Sequence, residues 1–145
     1  MTELLYIVAV DGSEWSKRAA NEAITLASKT DAKVKLLTVL YRPTITPIAM
    51  EGIAPPVLDK AAEEKYAKAN ILQPIAESHS STNVNISFEL IWGDPVVEIK
   101  SQIEELKANM LFVGRKGRSS IIDILLGSVA NKLAHCVSVP IVLVP

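Results

Sequence analysis

At 145 residues the chain has the length of one domain. A hydrophobic fraction of 49% and a mean hydropathy of +0.27 are ample for a buried core, which at 5% aromatic content must be mostly aliphatic and alanine. A net charge of −1 excludes the basic excess of a dedicated nucleic-acid binder, and a single cysteine, Cys136, excludes an intrachain disulfide or a cysteine-based zinc cluster.

The first apolar run, Leu4 to Val10, is hydrophobic on both alternating faces, as in a central strand of a parallel sheet covered on both sides. No basic region precedes it, and it is too short to span a membrane. The expectation is a soluble cytoplasmic protein with no membrane partner. Asp11-Gly12-Ser13 ends the strand. Ser13 is placed to cap a helix from about Glu14 to Ser28, in which Ala19, Ala20, Ala23, Ile24 and Ala27 recur at helical spacing. Lys33 to Leu40 reads as the second strand. Pro43, Pro47, Pro55 and Pro56, with Gly52, then mark a long irregular stretch, because so many prolines do not fit one regular element. A helical pattern runs from Leu58 to about His79 through Ala62, Tyr66, Ala69, Leu72 and Ala76. Pro74 is expected to bend or interrupt it.

Val84, Ile86, Phe88 and Leu90 alternate with polar residues, which suits an edge strand with one wet face. Gly93-Asp94-Pro95 starts a helix to about Lys107, with Asp94 as cap and Pro95 at the first helical position. Met110 to Val113 is a fourth strand. Ser128, read as a cap, opens a short helix to about Cys136, and Pro140 to Pro145 is a fifth strand. Alternation of strand and helix predicts a single-domain α/β fold. Its sheet is open, parallel and five-stranded, in the order 3-2-1-4-5, with helices on both faces. That order reverses between strands one and four, and in such sheets a ligand sits beyond the strand C-termini at the reversal. Two loops converge there: Asp11 to Ser13, and Gly114 to Ser128.

The second of these loops carries Gly114, Gly117 and Gly127, then Ser128. Glycine permits positive φ and close approach of backbone to a ligand, and a helix N-terminus favours an anion. Phosphates are the natural guest, although by composition alone the segment also serves as an ordinary strand-to-helix loop. It is neither a Walker loop nor the dinucleotide fingerprint. The spacing Gly-x2-Gly-x9-Gly-Ser resembles the ATP-binding motif of the universal stress protein family. The resemblance extends over nearly the whole chain, through Val10-Asp11-Gly12-Ser13 with Ser16, Gly93-Asp94-Pro95, and Val139 to Val144.

The resemblance implies one universal stress protein domain over residues 1–145, with a Rossmann-like fold of the adenine nucleotide alpha hydrolase type. It also implies ATP or another adenine nucleotide as ligand, with Mg²⁺ or Mn²⁺. Gly114, Gly117, Gly127 and Ser128 would hold ribose and phosphates, and Val129 would add a backbone contact. Val10 and Asp11 would sit by the adenosine, and Val39 would offer backbone groups to the adenine edge. Asp11 also suits a plain helix-start turn. Arg115, Lys116 and Arg118 cluster beside the glycines; Arg115 is taken as a candidate phosphate contact, although such runs are more often a solvated face. The chain departs from common members at Ser120, where glycine is frequent, at Asp123, where a basic residue is frequent, and at Asn109, which replaces a frequent aspartate.

His79 and His135 lack metal-ligand spacing, and Trp15 reads as helix packing, with shielding of a base as the alternative. No catalytic base is evident, so the expected role is a nucleotide-dependent switch in a stress response, with at most slow hydrolysis. The alternatives are a nucleotide-free dimeric interaction protein of the same fold, and an ATP pyrophosphatase or flavoprotein. The apolar terminal strand is expected at a sheet edge, where the family commonly forms homodimers; a further protein partner is unspecified.

Overall fold

The computed structural model describes residues 3–41, 60–117 and 126–145. Strands β1 (Leu5–Ala9), β2 (Lys33–Leu40), β3 (Ile86–Trp92), β4 (Met110–Gly114) and β5 (Ile141–Val144) form one parallel sheet. Its order is β3-β2-β1-β4-β5, as predicted. The helices are α1 (Glu14–Thr30), α2 (Lys60–Ala67), α3 (Gln73–Ser78), α4 (Pro95–Leu106) and α5 (Ser128–Cys136), with a π-helical turn, Lys68–Leu72, joining α2 to α3.

Side-chain alternation along the strands divides the core in two. Tyr6, Val8 and Val10 of one face pack with Ala19, Ala20, Ala23 and Ala27 of α1, and with Ile71, Leu72 and Ile75. Ile7, Leu37, Leu111 and Val113 face the other way, onto Ile99 and Ile103 of α4 and Ala130 and Leu133 of α5. The doubly covered central strands explain the unbroken apolar runs in the sequence. Asn109 starts β4 by accepting from the Leu5 N–H through its side-chain oxygen, 2.9 Å, and an aspartate could accept in the same way.

Local chemistry fixes two helix starts as expected. The Ser13 hydroxyl accepts from the Ser16 N–H, and the Asp94 carboxylate accepts from the N–H groups of Val96 and Val97. Two expectations are corrected. The buried face of the α2–α3 rod is not Ala62, Tyr66, Ala69, Leu72 and Ala76; of these only Leu72 is buried, and Tyr66 is 59% exposed. Ala67, Ile71 and Ile75 are buried instead, an i, i+4, i+8 face one position away from the expected one. Nor does Ser128 cap α5. The N-cap is Gly127, in extended conformation, whose carbonyl already accepts from the Asn131 N–H. On the β3 edge, Ile86 and Leu90 pack against the first core, whereas Phe88 is 48% exposed. The proline-rich stretch Pro43 to Pro56, Leu58, Arg118, Ser120 and Asp123 lie outside the described residues.

Candidate functional site

The sheet opens at its C-terminal edge because neighbouring strands stop pairing at different heights. β1 pairs with β4 only from Tyr6 to Val8, and with β2 only as far as Ala9 opposite Leu37. β2 continues to Leu40 against β3. The cleft so formed has a volume of about 450 Å³. It draws walls from both cores, Ile71 from one face and Ile99 and Leu133 from the other.

Val10 closes the floor. It is buried, its N–H donates to the Leu37 carbonyl at 2.9 Å, and its carbonyl accepts from the Thr38 hydroxyl at 3.1 Å. Asp11 forms the lip. Its Oδ1 accepts from the Ser13 N–H at 2.9 Å, and its own N–H donates to Ser16 Oγ, which in turn donates to the Ser13 carbonyl. Asp11 is therefore a helix-start turn residue and a cleft-lining carboxylate at once. Val39 follows from strand geometry. Backbone groups in a parallel strand face alternate neighbours. The Leu37 carbonyl faces β1 and the Leu40 carbonyl faces β3, so Val39 directs its N–H and carbonyl to the β1 side, beyond the last paired residue of β1.

The three loop glycines serve close approach, not positive φ; among the described glycines that conformation belongs to Gly12 and Gly93. A Cβ on Gly114 would stand 2.6 Å from Trp15 Cβ, so this glycine lets α1 press against the end of β4. A Cβ on Gly117 would stand 2.8 Å from Asp11 Oδ2, which brings the two predicted loops into contact. A Cβ on Gly127 would lie 3.3 Å from the Arg115 carbonyl oxygen, and the Gly127 N–H donates to that oxygen at 2.7 Å. The Arg115 N–H meanwhile donates to the Val144 carbonyl, tying the loop to β5.

Gly127 leads into α5, whose first turn has no side-chain cap among the described residues. Ser128, Val129 and Ala130 line the cleft, so their first-turn N–H groups and the positive end of the helix dipole open onto it. Of the basic cluster, Lys116 lines the cleft and Arg115 does not; the Arg115 Nε is buried without a hydrogen-bond partner among the described residues. Lys116 Nζ lies 5.9 Å from the centroid of the Trp15 ring, and Arg18 Cζ lies 5.7 Å from it.

Val10, Asp11, Val39, Gly114, Gly117, Gly127, Ser128 and Val129 thus line one cleft. Sequence reasoning passed over Thr38, Tyr41, Ile71 and Pro95. Thr38 and Tyr41 flank the Val39 and Leu40 strand end and were within its reach, whereas Ile71 reaches the cleft by packing against Gly12, far away in sequence.

The family model described as the universal stress protein family matches residues 7–145. A universal stress protein of Methanocaldococcus jannaschii is 31% identical over 133 residues, covering 90% of this chain and 76% of its own. The structure of the universal stress protein UspA from Lactobacillus plantarum superposes with a TM-score of 0.82 at 19% identity, over 100% of this chain and 99% of its own. A universal stress protein solved in complex with cAMP gives a TM-score of 0.70 at 25% identity, over 99% and 98% of the two chains.

Proposed function

The chain belongs to the universal stress protein family, and on that premise we propose that its cleft binds ATP or another adenine nucleotide and acts as a nucleotide-dependent regulatory switch. One observation carries the reading. Among the described residues no side chain caps the N-terminus of α5, which opens into the cleft, whereas those of α1 and α4 are closed by Ser13 and Asp94. Unsatisfied N–H groups at the positive end of a helix are suited to phosphate oxygens. The relative bound to cAMP supports a ligand of this class.

In this reading the amides of Gly117, Ser128 and Val129 hold phosphate, with Lys116 supplying positive charge. Asp11 accepts from ribose hydroxyls and Val39 offers backbone groups to the base edge. The apolar walls of the cleft take the base and exclude water from it. Among the described residues no group of three or more His, Cys, Asp or Glu could hold a metal ion by itself. Mg²⁺ or Mn²⁺ would therefore arrive on the phosphates. Asp11 is the one carboxylate among the described lining residues, and its Oδ1 already accepts from Ser13. The proposed role is accordingly binding, with hydrolysis slow at most. A cytoplasmic location and a homodimer joined along β5 complete the proposal; β5 is the last strand of the sheet, and Leu143 on it is 38% exposed.

Ser128→Pro tests the reading. Position 128 is the first helical residue, where proline is tolerated, and Gly127 already has the extended ψ of 154° that a following proline requires. The variant loses one anion-binding amide and keeps its fold. Titration calorimetry should show ATP binding at least about tenfold weaker, roughly 1.4 kcal/mol, with an unchanged melting temperature. Wild-type affinity in a well-folded variant would refute the role of the helix terminus.

A further inference from the structure

The π turn Lys68–Leu72 has a local cause, and one of its residues lines the cleft. Pro74, directly beyond it, has no N–H for the Asn70 carbonyl, and its ring would collide with that carbonyl in a continuous α-helix. The chain widens by one residue instead, and the Gln73 N–H donates back to the Lys68 carbonyl. The Asn70 side-chain amide donates to the Tyr66 carbonyl at 2.9 Å, which serves a backbone acceptor near the irregularity. Such turns are frequent at functional sites.

The π turn carries Ile71. This residue is 7% exposed, and its Cγ1 lies 3.3 Å from where a Cβ on Gly12 would be. Gly12 has φ +86°, so the space beside the Asp11 turn is filled by Ile71 and not by a local side chain. Ile71 lines the cleft together with Leu40 and Tyr41, and Ile99 and Leu133 come from the opposite face of the sheet. The amides suited to phosphate lie elsewhere in the cleft, at α5 and the glycine loop. The geometry points to Ile71 as a specificity-determining residue: an apolar wall beside the Asp11 turn that packs against the nucleoside half of the ligand and limits its size. This inference rests on the nucleotide reading above.

The test is calorimetric titration of the full chain and its Ile71→Val and Ile71→Ala variants. The probes are AMP, adenosine, pyrophosphate, and adenosines enlarged at N6, C2 or C8. Ile71→Ala is expected to weaken adenosine and AMP by the same factor, about tenfold, and to leave pyrophosphate unchanged. Ile71→Val should weaken both about two- to threefold. At least one enlarged adenosine should bind Ile71→Ala more tightly than wild type, a gain that a loosened fold does not produce. If both variants bind every nucleoside as wild type does while AMP still binds, the inference about Ile71 fails and the nucleotide reading stands. A wild-type protein that binds neither AMP nor adenosine overturns both.

Discussion

Gly114→Ala probes the tightest junction in the molecule. A Cβ at this position would stand 2.6 Å from Trp15 Cβ and 2.8 Å from the Trp15 carbonyl carbon. Neither atom moves when the indole changes rotamer, so α1 itself must retreat from the end of β4. Overpacking of this kind costs about 1–3 kcal/mol. The lower entropy of the unfolded alanine chain offsets roughly 0.4–1 kcal/mol of that. With the clash against backbone-fixed atoms in the upper part of the overpacking range, about 2–3 kcal/mol, the net cost is about 1–2.6 kcal/mol. At about 2–4 °C per kcal/mol for a domain of this size, the melting temperature should fall by roughly 2–10 °C in scanning calorimetry. Trp15→Ala combined with Gly114→Ala should recover nothing, since the Cβ and carbonyl of residue 15 remain. Gly127→Ala is the comparison: its nearest contact is 3.3 Å, so its cost should stay below about 1 kcal/mol. If Gly114→Ala melts within about 1 °C of wild type, or Gly127→Ala proves the more damaging, the close-packing account of these glycines is wrong.

Two further substitutions test other junctions. Asp94→Ala removes the acceptor of two N–H groups at the start of α4 and should cost about 1 kcal/mol in urea denaturation; Asp94→Ser, which retains a capping oxygen, should restore most of it. Thr38→Val keeps the shape of a side chain that is 2% exposed but deletes its bond to the Val10 carbonyl. The expected loss is about 1 kcal/mol, and an unchanged denaturation midpoint would show that this bond contributes nothing to holding the cleft floor.

Features carried by neighbouring residues were legible in the chain. The central strands announced themselves by apolar runs on both faces, and from their alternation with helices the strand order followed. Ser13 and Asp94 act within three residues of themselves, so their capping roles could be read directly. What escaped depends on partners distant in sequence. The contact that makes Gly114 necessary is with Trp15, and that of Gly117 is with Asp11, each about a hundred residues away. Glycine spacing marked the place without revealing whether freedom of φ or room for a neighbour was at stake. The buried face of the α2–α3 rod was not legible, because Ala62, Tyr66 and Ala69 are apolar as Ala67, Ile71 and Ile75 are, and only the docking onto the sheet selects between the two faces. Pro74 signalled an interruption, but not that the chain would widen into a π turn. Ser128 looked like a cap because serine commonly is one; Gly127 holds that position and has no side chain to cap with.

The N-terminus of α5 is best examined amide by amide, by following ¹⁵N–¹H resonances through a titration with AMP, ADP, ATP and cAMP. Saturating shifts at Gly117, Ser128, Val129 and Ala130 are expected with at least one of these nucleotides. Val96 and Val97, whose N–H groups already bond Asp94, should stay in place. Amides at 117 and 128–130 that remain unmoved at saturating concentrations of all four would contradict the account.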